Sequence, residues 1–405
     1  MATVRAFVAL RPPRDLAAAV AAPPYDVVDT AEAAAIADGN LDSFLRVSRP
    51  EIGLPAGATA EAVHRFGREM LEAFERRGTL VRDRDRELLV YRQEMGGASQ
   101  TGVVAVVTAA EYRSGAIAVH EHTRPDKEDD RTRHIEALGA HDEPVFLMYR
   151  PDAPGASRVA AVLATVTAGQ PEYLLERDSV RHTLWTVPAA ADIEALEAAF
   201  GEVPVLYVAD GHHRSAAAAR LAASDPRPGA TEFPAVVFPS DELTVMAYHR
   251  VVRDLRGLTP AAFRDALGTD FVVTSAPAAP VLERHQVGVY VAGAWSIATL
   301  RPGLVDEADP IARLDVSVLQ ERLLAPVLGI ADPRTDTRIA FVGGIRGTAE
   351  LERLVDSGEF AVAFALHPTS PDEVMDVADG GQVMPPKSTW FEPKLLSGLF
   401  VHPLE

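Results

Sequence analysis

From Thr183 to Ala365 the chain alternates short β-branched runs with Ala- and Leu-rich segments of helical character, and that alternation admits few folds. The runs are Thr183 to Val187, Val203 to Val208, Ala235 to Phe238, Val287 to Ala292, Arg338 to Val342 and Ala361 to Ala365. Apolar runs this short, bounded by turn residues, read as buried strands, and helices between them supply the layers that cover a sheet. The expected class is α/β, with α+β character in the opening half. There a helix is expected from Thr59 to Arg77, then a hairpin of Glu87 to Gln93 and Gln100 to Val107 through Gly96-Gly97. The polar segment His120 to Arg131 leads into a helix that should end near Gly139, and Pro144 to Tyr149 reads as another strand.

A chain of 405 residues exceeds what one core usually supports. The Pro- and Gly-rich stretch Pro151 to Gly155 predicts a boundary, giving regions 1–150 and 151–405. Cysteine is absent, which removes disulfides, thiolate metal sites and cysteine nucleophiles together and fits a reducing compartment. Met1 to Ala6 lacks the sustained apolar stretch of a secretory signal, and Val103 to Ala110 and Val287 to Leu300 are too short to span a bilayer. A cytoplasmic protein without a membrane partner is expected. The net charge of −19 would repel a phosphate backbone, so nucleic acid is not an expected partner either. Local clusters of cations gain meaning against that background.

The most informative cluster is Asp210-Gly211-His212-His213-Arg214, between the buried run Val203 to Ala209 and the helical Ser215 to Ala222. A helix starting there presents unpaired N–H groups and the positive end of its dipole, Gly211 lets a ligand approach the backbone, and His and Arg add donors. Those properties suit a phosphate. The alternative is a helix capped by Asp210 with surface histidines. A second cluster, His120 to Arg131, mixes Arg124, Lys127 and Arg131 with carboxylates able to hold Mg²⁺ or accept a hydroxyl proton; a solvated charged loop is its alternative. His120 and His122, with His134 or His141, also permit a metal reading, but no His-Glu-x-x-His spacing supports it. Pro23-Pro24-Tyr25-Asp26 sets a carboxylate on a rigid turn. Near the C-terminus, Met384 to Lys394 carries three prolines, so an ordered loop rather than a regular element is expected, with Lys387, Ser388, Thr389 and Lys394 available to an anion. Walker-type loops, dinucleotide fingerprints, protein-kinase signatures and nucleophile elbows are all missing.

These segments together resemble a bacterial and archaeal domain-of-unknown-function family of the ParB/sulfiredoxin-like superfamily. The resemblance rests on Pro23 to Val27, His120 to Thr123 with Lys127 to Arg131, Ala209 to Arg214, and Met384 to Thr389 with Pro393-Lys394. It implies a ParB/sulfiredoxin-like nucleotide-binding core with large additional mixed α/β layers. In related proteins the Gly-x-x-Arg-type turn binds the phosphates of ATP, ADP or CTP, and some relatives phosphorylate free L-serine.

The leading expectation is therefore an ATP-dependent kinase of a small hydroxyl metabolite. Gly211, His212, His213, Arg214, Lys127, Arg131, Lys387, Ser388, Thr389 and Lys394 would bind the nucleotide. Asp210, Glu128 and Asp130 would place Mg²⁺, and Glu121, Asp26 and Asp210 would serve the chemical step. The alternatives are a nucleotide-gated switch tying two copies into a homodimer, weakened by the lack of a helix-turn-helix segment, and a metallohydrolase built on His120, His122, His212 and His213.

Overall fold

The computed structural model describes residues 3–405 as a mixed α/β fold with several sheets. Two compact units make up the chain: one runs to Leu243 and includes Pro393–Glu405, and the other is Thr244–Glu392. The units therefore do not divide at Pro151 to Gly155. Val145–Tyr149 before that stretch and Leu206–Asp210 and Glu232–Pro239 after it are neighbours in one sheet. Gly155 serves packing rather than a linker: its φ is 86°, and a Cβ there would fall 2.1 Å from the Ala199 carbonyl oxygen.

The first unit is built on eight strands in the order Ile117–Ala118, Leu206–Asp210, Val145–Tyr149, Glu232–Pro239, Ala98–Thr108, Leu89–Met95, Val180–Thr186 and Tyr173–Arg177. The expected hairpin is its centre: Leu89–Met95 pairs antiparallel with Ala98–Thr108, and Gly96 and Gly97 take the positive φ its turn needs. Val103, Ala105, Leu147, Val208, Ala235 and Val237 are all at most 1% exposed, a near-continuous apolar layer under the helices Ala156–Thr167 and Ala190–Phe200. Full burial explains why these runs do not alternate with polar residues. The helix Ala60–Arg77 begins on the Thr59 side-chain cap, and Pro125–Leu138 closes on Gly139 at φ 70°.

The second unit has a six-stranded sheet in the order Phe271–Ala276, Ala294–Leu300, Gln286–Val291, Val362–Leu366, Tyr248–Val252 and Ile339–Gly343. Met384 to Lys394 is not wholly irregular. Trp390–Glu392 forms a short strand paired with Thr244–Met246, because it lies between Pro386 and Pro393 and keeps every N–H.

Candidate active site

Strand register brings distant segments to one end of the first unit's sheet. Leu206–Asp210 runs parallel to Ile117–Ala118, so the chain leaving Ala118 delivers His120 and Glu121 beside the C-terminal end of the strand at Asp210. On its other flank Asp210 lies opposite Phe146, after a bulge, which sets Asp142, Glu143 and Pro144 next to the turn. Ala22 and Ser397 exchange backbone hydrogen bonds of 3.2 and 2.9 Å, holding the Pro23 to Asp26 turn alongside the segment that carries Lys394.

Gly211 is the N-cap of the helix His212–Leu221, at φ 98° and ψ 28°. Its N–H donates to Asp210 Oδ1 at 2.8 Å, so Asp210 braces the turn from outside and leaves the first N–H groups of the helix uncapped by any side chain. Asp210 Oδ2 accepts from Lys394 Nζ at 3.1 Å and lies 3.8 Å from Arg214 Nη2. Burial alone would raise this carboxyl, but Lys394 and Arg214 outweigh it and hold it well below the ordinary range. Asp210 is therefore a carboxylate at neutral pH.

Arg214 is buried, and its guanidinium donates to the Pro144 carbonyl. Asp26 Oδ2 lies 3.5 Å from Nη2 and Glu143 Oε2 4.0 Å from Nη1, while among the described residues Nε meets no partner. Burial opposes its charge, and Asp26, Asp210 and Glu143 more than restore it. Glu143 also accepts from the Tyr25 N–H and the Ser397 hydroxyl, each at 2.9 Å, so one carboxyl ties together the segments bearing Asp26, Arg214 and Lys394. Burial pushes it up to about 8 despite Arg214. A folded pKa above the unfolded value of about 4.3 contributes stability that is complete below that value and is lost as pH rises through 8. The urea midpoint should accordingly fall between pH 6 and pH 9, and Glu143→Gln should flatten that fall; an equal slope in both proteins would refute the assignment.

The histidines form the other wall. His120 and His212 are buried edge to face, 4.5 Å between ring centroids. Burial holds His120 down to about 4 and His212 well below its usual value, so both rings are neutral near pH 7. His212 Nε2 is buried and finds no hydrogen-bond partner among the described residues, and Nδ1 lies 4.0 Å from Glu121 Oε2. His213 Nε2 accepts from the Arg124 N–H at 3.1 Å; burial lowers it, and the nearby charges of Arg124 and Lys127 lower it further.

The structure thus gathers Asp26, Glu121, Asp210, Gly211, His212, His213, Arg214, Lys127 and Lys394. Arg131 sits one layer behind, its guanidinium 4.0 Å from the Tyr25 ring centroid and 3.9 Å from Asp142. The expected metal set does not assemble. Glu128 and Asp130 are two positions apart on one helix and so face different ways. Glu128 accepts from Thr123 at 3.2 Å, Asp130 bonds His64 at 3.2 Å, and Asp210 belongs to Lys394 and Gly211. Among the described residues no three His, Asp or Glu side chains converge on a metal position, which also leaves the histidine metal reading without its ligand group. Lys387, Ser388 and Thr389 belong to the second unit.

Sequence reasoning missed Glu143 as the hub. Its one signal was a pair of acids, Asp142-Glu143, abutting a strand in which every residue is buried. Gly211→Ala tests the turn directly: a Cβ would stand 3.2 Å from Arg214 Nε and 3.4 Å from Val145 Cα at a φ that alanine resists. The expected loss is about 1–3 kcal/mol in chemical denaturation; a midpoint equal to the parent's would show that the turn does not need glycine.

A family described as "Protein of unknown function (DUF1015)" matches residues 4–317. No curated protein matches the chain. Among solved structures, a free serine kinase in complex with AMP is 16% identical, with a TM-score of 0.36 over 71% of this chain and 86% of that one. A conserved hypothetical protein from Pyrococcus furiosus is 15% identical, with a TM-score of 0.34 over 71% and 90%. C-terminally truncated SbnI from Staphylococcus aureus is 14% identical, with a TM-score of 0.39 over 74% and 87%.

Proposed function

This chain belongs to the family described as a protein of unknown function, DUF1015, and we propose that it is a nucleotide-dependent phosphotransferase: an ATP-dependent kinase of a small hydroxyl metabolite, with free L-serine the leading acceptor and O-phosphoserine the product. The observation that carries this reading is the convergence of Asp26, Glu121, Lys127, Asp210 to Arg214 and Lys394 around the uncapped start of one helix. The ParB/sulfiredoxin-like character of the turn is part of the same proposal.

Phosphoryl transfer asks mainly for positioning and charge neutralisation. The N–H groups after Gly211 and the His213, Lys127 and Arg124 side would take the phosphates of MgATP, which enters as the substrate complex. His212, neutral and with a free buried nitrogen, can donate to or accept from a ligand without a charge change. The acceptor hydroxyl oxygen bonds to the γ-phosphorus, the bond to the β,γ-bridging oxygen breaks, and ADP leaves. The hydroxyl proton passes to a carboxylate, Glu121 first and Asp26 second, both partly exposed to an incoming substrate. Asp210, held by Lys394 and Gly211, positions the turn rather than the proton. No step is routed through a protein-bound metal.

Incubation of the protein with MgATP, MgADP or MgCTP and a pool of amino and hydroxy acids tests the reading. A product heavier by one phosphoryl group, formed from serine and dependent on nucleotide, is expected. Tight dimerisation on nucleotide with no product would replace the kinase by a nucleotide-gated switch.

A further inference from the structure

The second unit contains a buried arginine, Arg250, beside which no acid lies among the described residues. Arg250 lies in the strand Tyr248–Val252 and is 4% exposed. Its guanidinium donates to the carbonyl oxygens of Tyr248, of Pro386 at 3.3 Å and of Lys387 at 2.9 Å, and rests 5.1 Å from the Phe341 ring centroid. Carbonyls satisfy its N–H groups without neutralising its charge, and among the described residues no carboxylate pairs with it. That is a costly arrangement, because a buried charge is normally matched by an opposite one. Burial accordingly disfavours the charged form.

Lys387, on the loop that Arg250 pins, repeats the pattern. It is exposed, adopts a φ of 59°, and places Nζ 5.5 Å from the Tyr248 ring centroid, again with no carboxylate partner among the described residues. The loop is otherwise firmly set: the Ser388 hydroxyl donates to the Pro385 carbonyl at 2.6 Å, and Thr369 donates to the Ser388 carbonyl at 3.0 Å. Tyr248 is itself packed edge-on against Trp390 and Phe341, at 5.2 and 6.2 Å. In a chain of net charge −19, most cations have an acid to meet. Here two lie unneutralised around one rigid loop.

We propose that Pro385 to Thr389, with Arg250 beneath it, is a binding site for a phosphate dianion, taken up as inorganic phosphate or as the phosphate group of a small metabolite. Two unmatched cations call for about two negative charges, which a phosphate monoester carries near neutral pH and a carboxylate does not. Lys387 makes the direct contact as a mobile point charge. Arg250 fixes the loop and supplies the second charge from below. All of these residues lie in Thr244–Glu392, so the site does not depend on the kinase reading.

The test titrates the full chain with inorganic phosphate, with O-phospho-L-serine, and with acetate as a monoanion, following tryptophan fluorescence and calorimetry. Saturable binding of at least one phosphate compound and none of acetate is expected; which compound binds more tightly identifies the source. Lys387→Ala, an exposed change that should not disturb folding, should weaken that binding at least tenfold. Arg250→Lys should retain it within a few-fold and Arg250→Met should lose it. Arg214→Ala separates the two sites, since it removes a residue of the first unit only. Binding that survives Lys387→Ala but disappears in Arg214→Ala would overturn the second site and leave the turn standing, and the absence of saturable phosphate binding to the parent would overturn it outright.

Discussion

Replacing Arg214 with alanine should weaken ATP binding at least tenfold and cost about 3–5 kcal/mol of folding stability, the usual penalty for removing one member of a buried ionic network. Both effects have the same origin. Arg214 is the cation on which Asp26, Asp210 and Glu143 converge, and its helix position puts it in the turn proposed to hold the phosphates. Without it, Glu143 loses the nearby charge that most opposes its protonation, and Asp210 loses one of the two cations that hold it ionised. Arg214→Lys separates affinity from folding. A lysine keeps the charge but not the planar fork that spans Pro144 and the carboxylates, so it should recover part of the stability while nucleotide remains several-fold weaker. Calorimetry and urea denaturation on both variants measure the two effects side by side. Unchanged ATP affinity in a folded Arg214→Ala protein would end the assignment of the turn as a phosphate site.

The second large effect is expected at Glu121. Glu121→Gln should cut product formation by about 10²–10⁴-fold while leaving ATP affinity within a few-fold of the parent's. The side chain is partly exposed and lies 4.0 Å from His212 Nδ1, so the amide keeps its shape while removing a proton acceptor. Asp26 is the next carboxylate within reach, but its pairing with Arg214 means that Asp26→Asn should lower affinity as well as turnover. The contrast between the two variants identifies the base. A Glu121→Gln enzyme that turns over serine at the parent rate would remove Glu121 from the chemical step.

The local structure around Gly211 was legible in the sequence because its elements are contiguous. A buried run, a glycine and an Ala-rich stretch announce a strand, a turn and a helix start, and the helix begins at His212, with Gly211 at a positive φ that the sequence reading did not state. What joins the turn to the rest is long-range and leaves little trace. Glu143 reads as one more acid in an acidic chain until strand register sets it between Tyr25, Ser397 and Arg214. Arg250 likewise carries no local signal, because its burial against the Pro386 and Lys387 carbonyls appears only once the strand Tyr248–Val252 is in place. The carboxylates Glu128 and Asp130 misled in the opposite sense, since closeness in sequence on a helix sends them to different neighbours. The unit boundary was hidden for a related reason: Pro151 to Gly155 carries the composition of a linker but serves as a tight strand-to-helix turn, whereas the division at Leu243 and Thr244 has no glycine or proline to announce it.

We propose that the Gly211 turn binds the phosphates of a nucleotide whose terminal phosphoryl group goes to a small hydroxyl acceptor. This proposal is tested most directly by incubating the full chain with MgATP labelled with ¹⁸O in the γ-phosphoryl group and with L-serine, and weighing the products. O-phosphoserine carrying the labelled phosphoryl group is expected, formed with one ADP per turnover and lost in Glu121→Gln. Release of labelled inorganic phosphate alone, or no consumption of ATP in the presence of serine and a pool of other hydroxyl compounds, would contradict it.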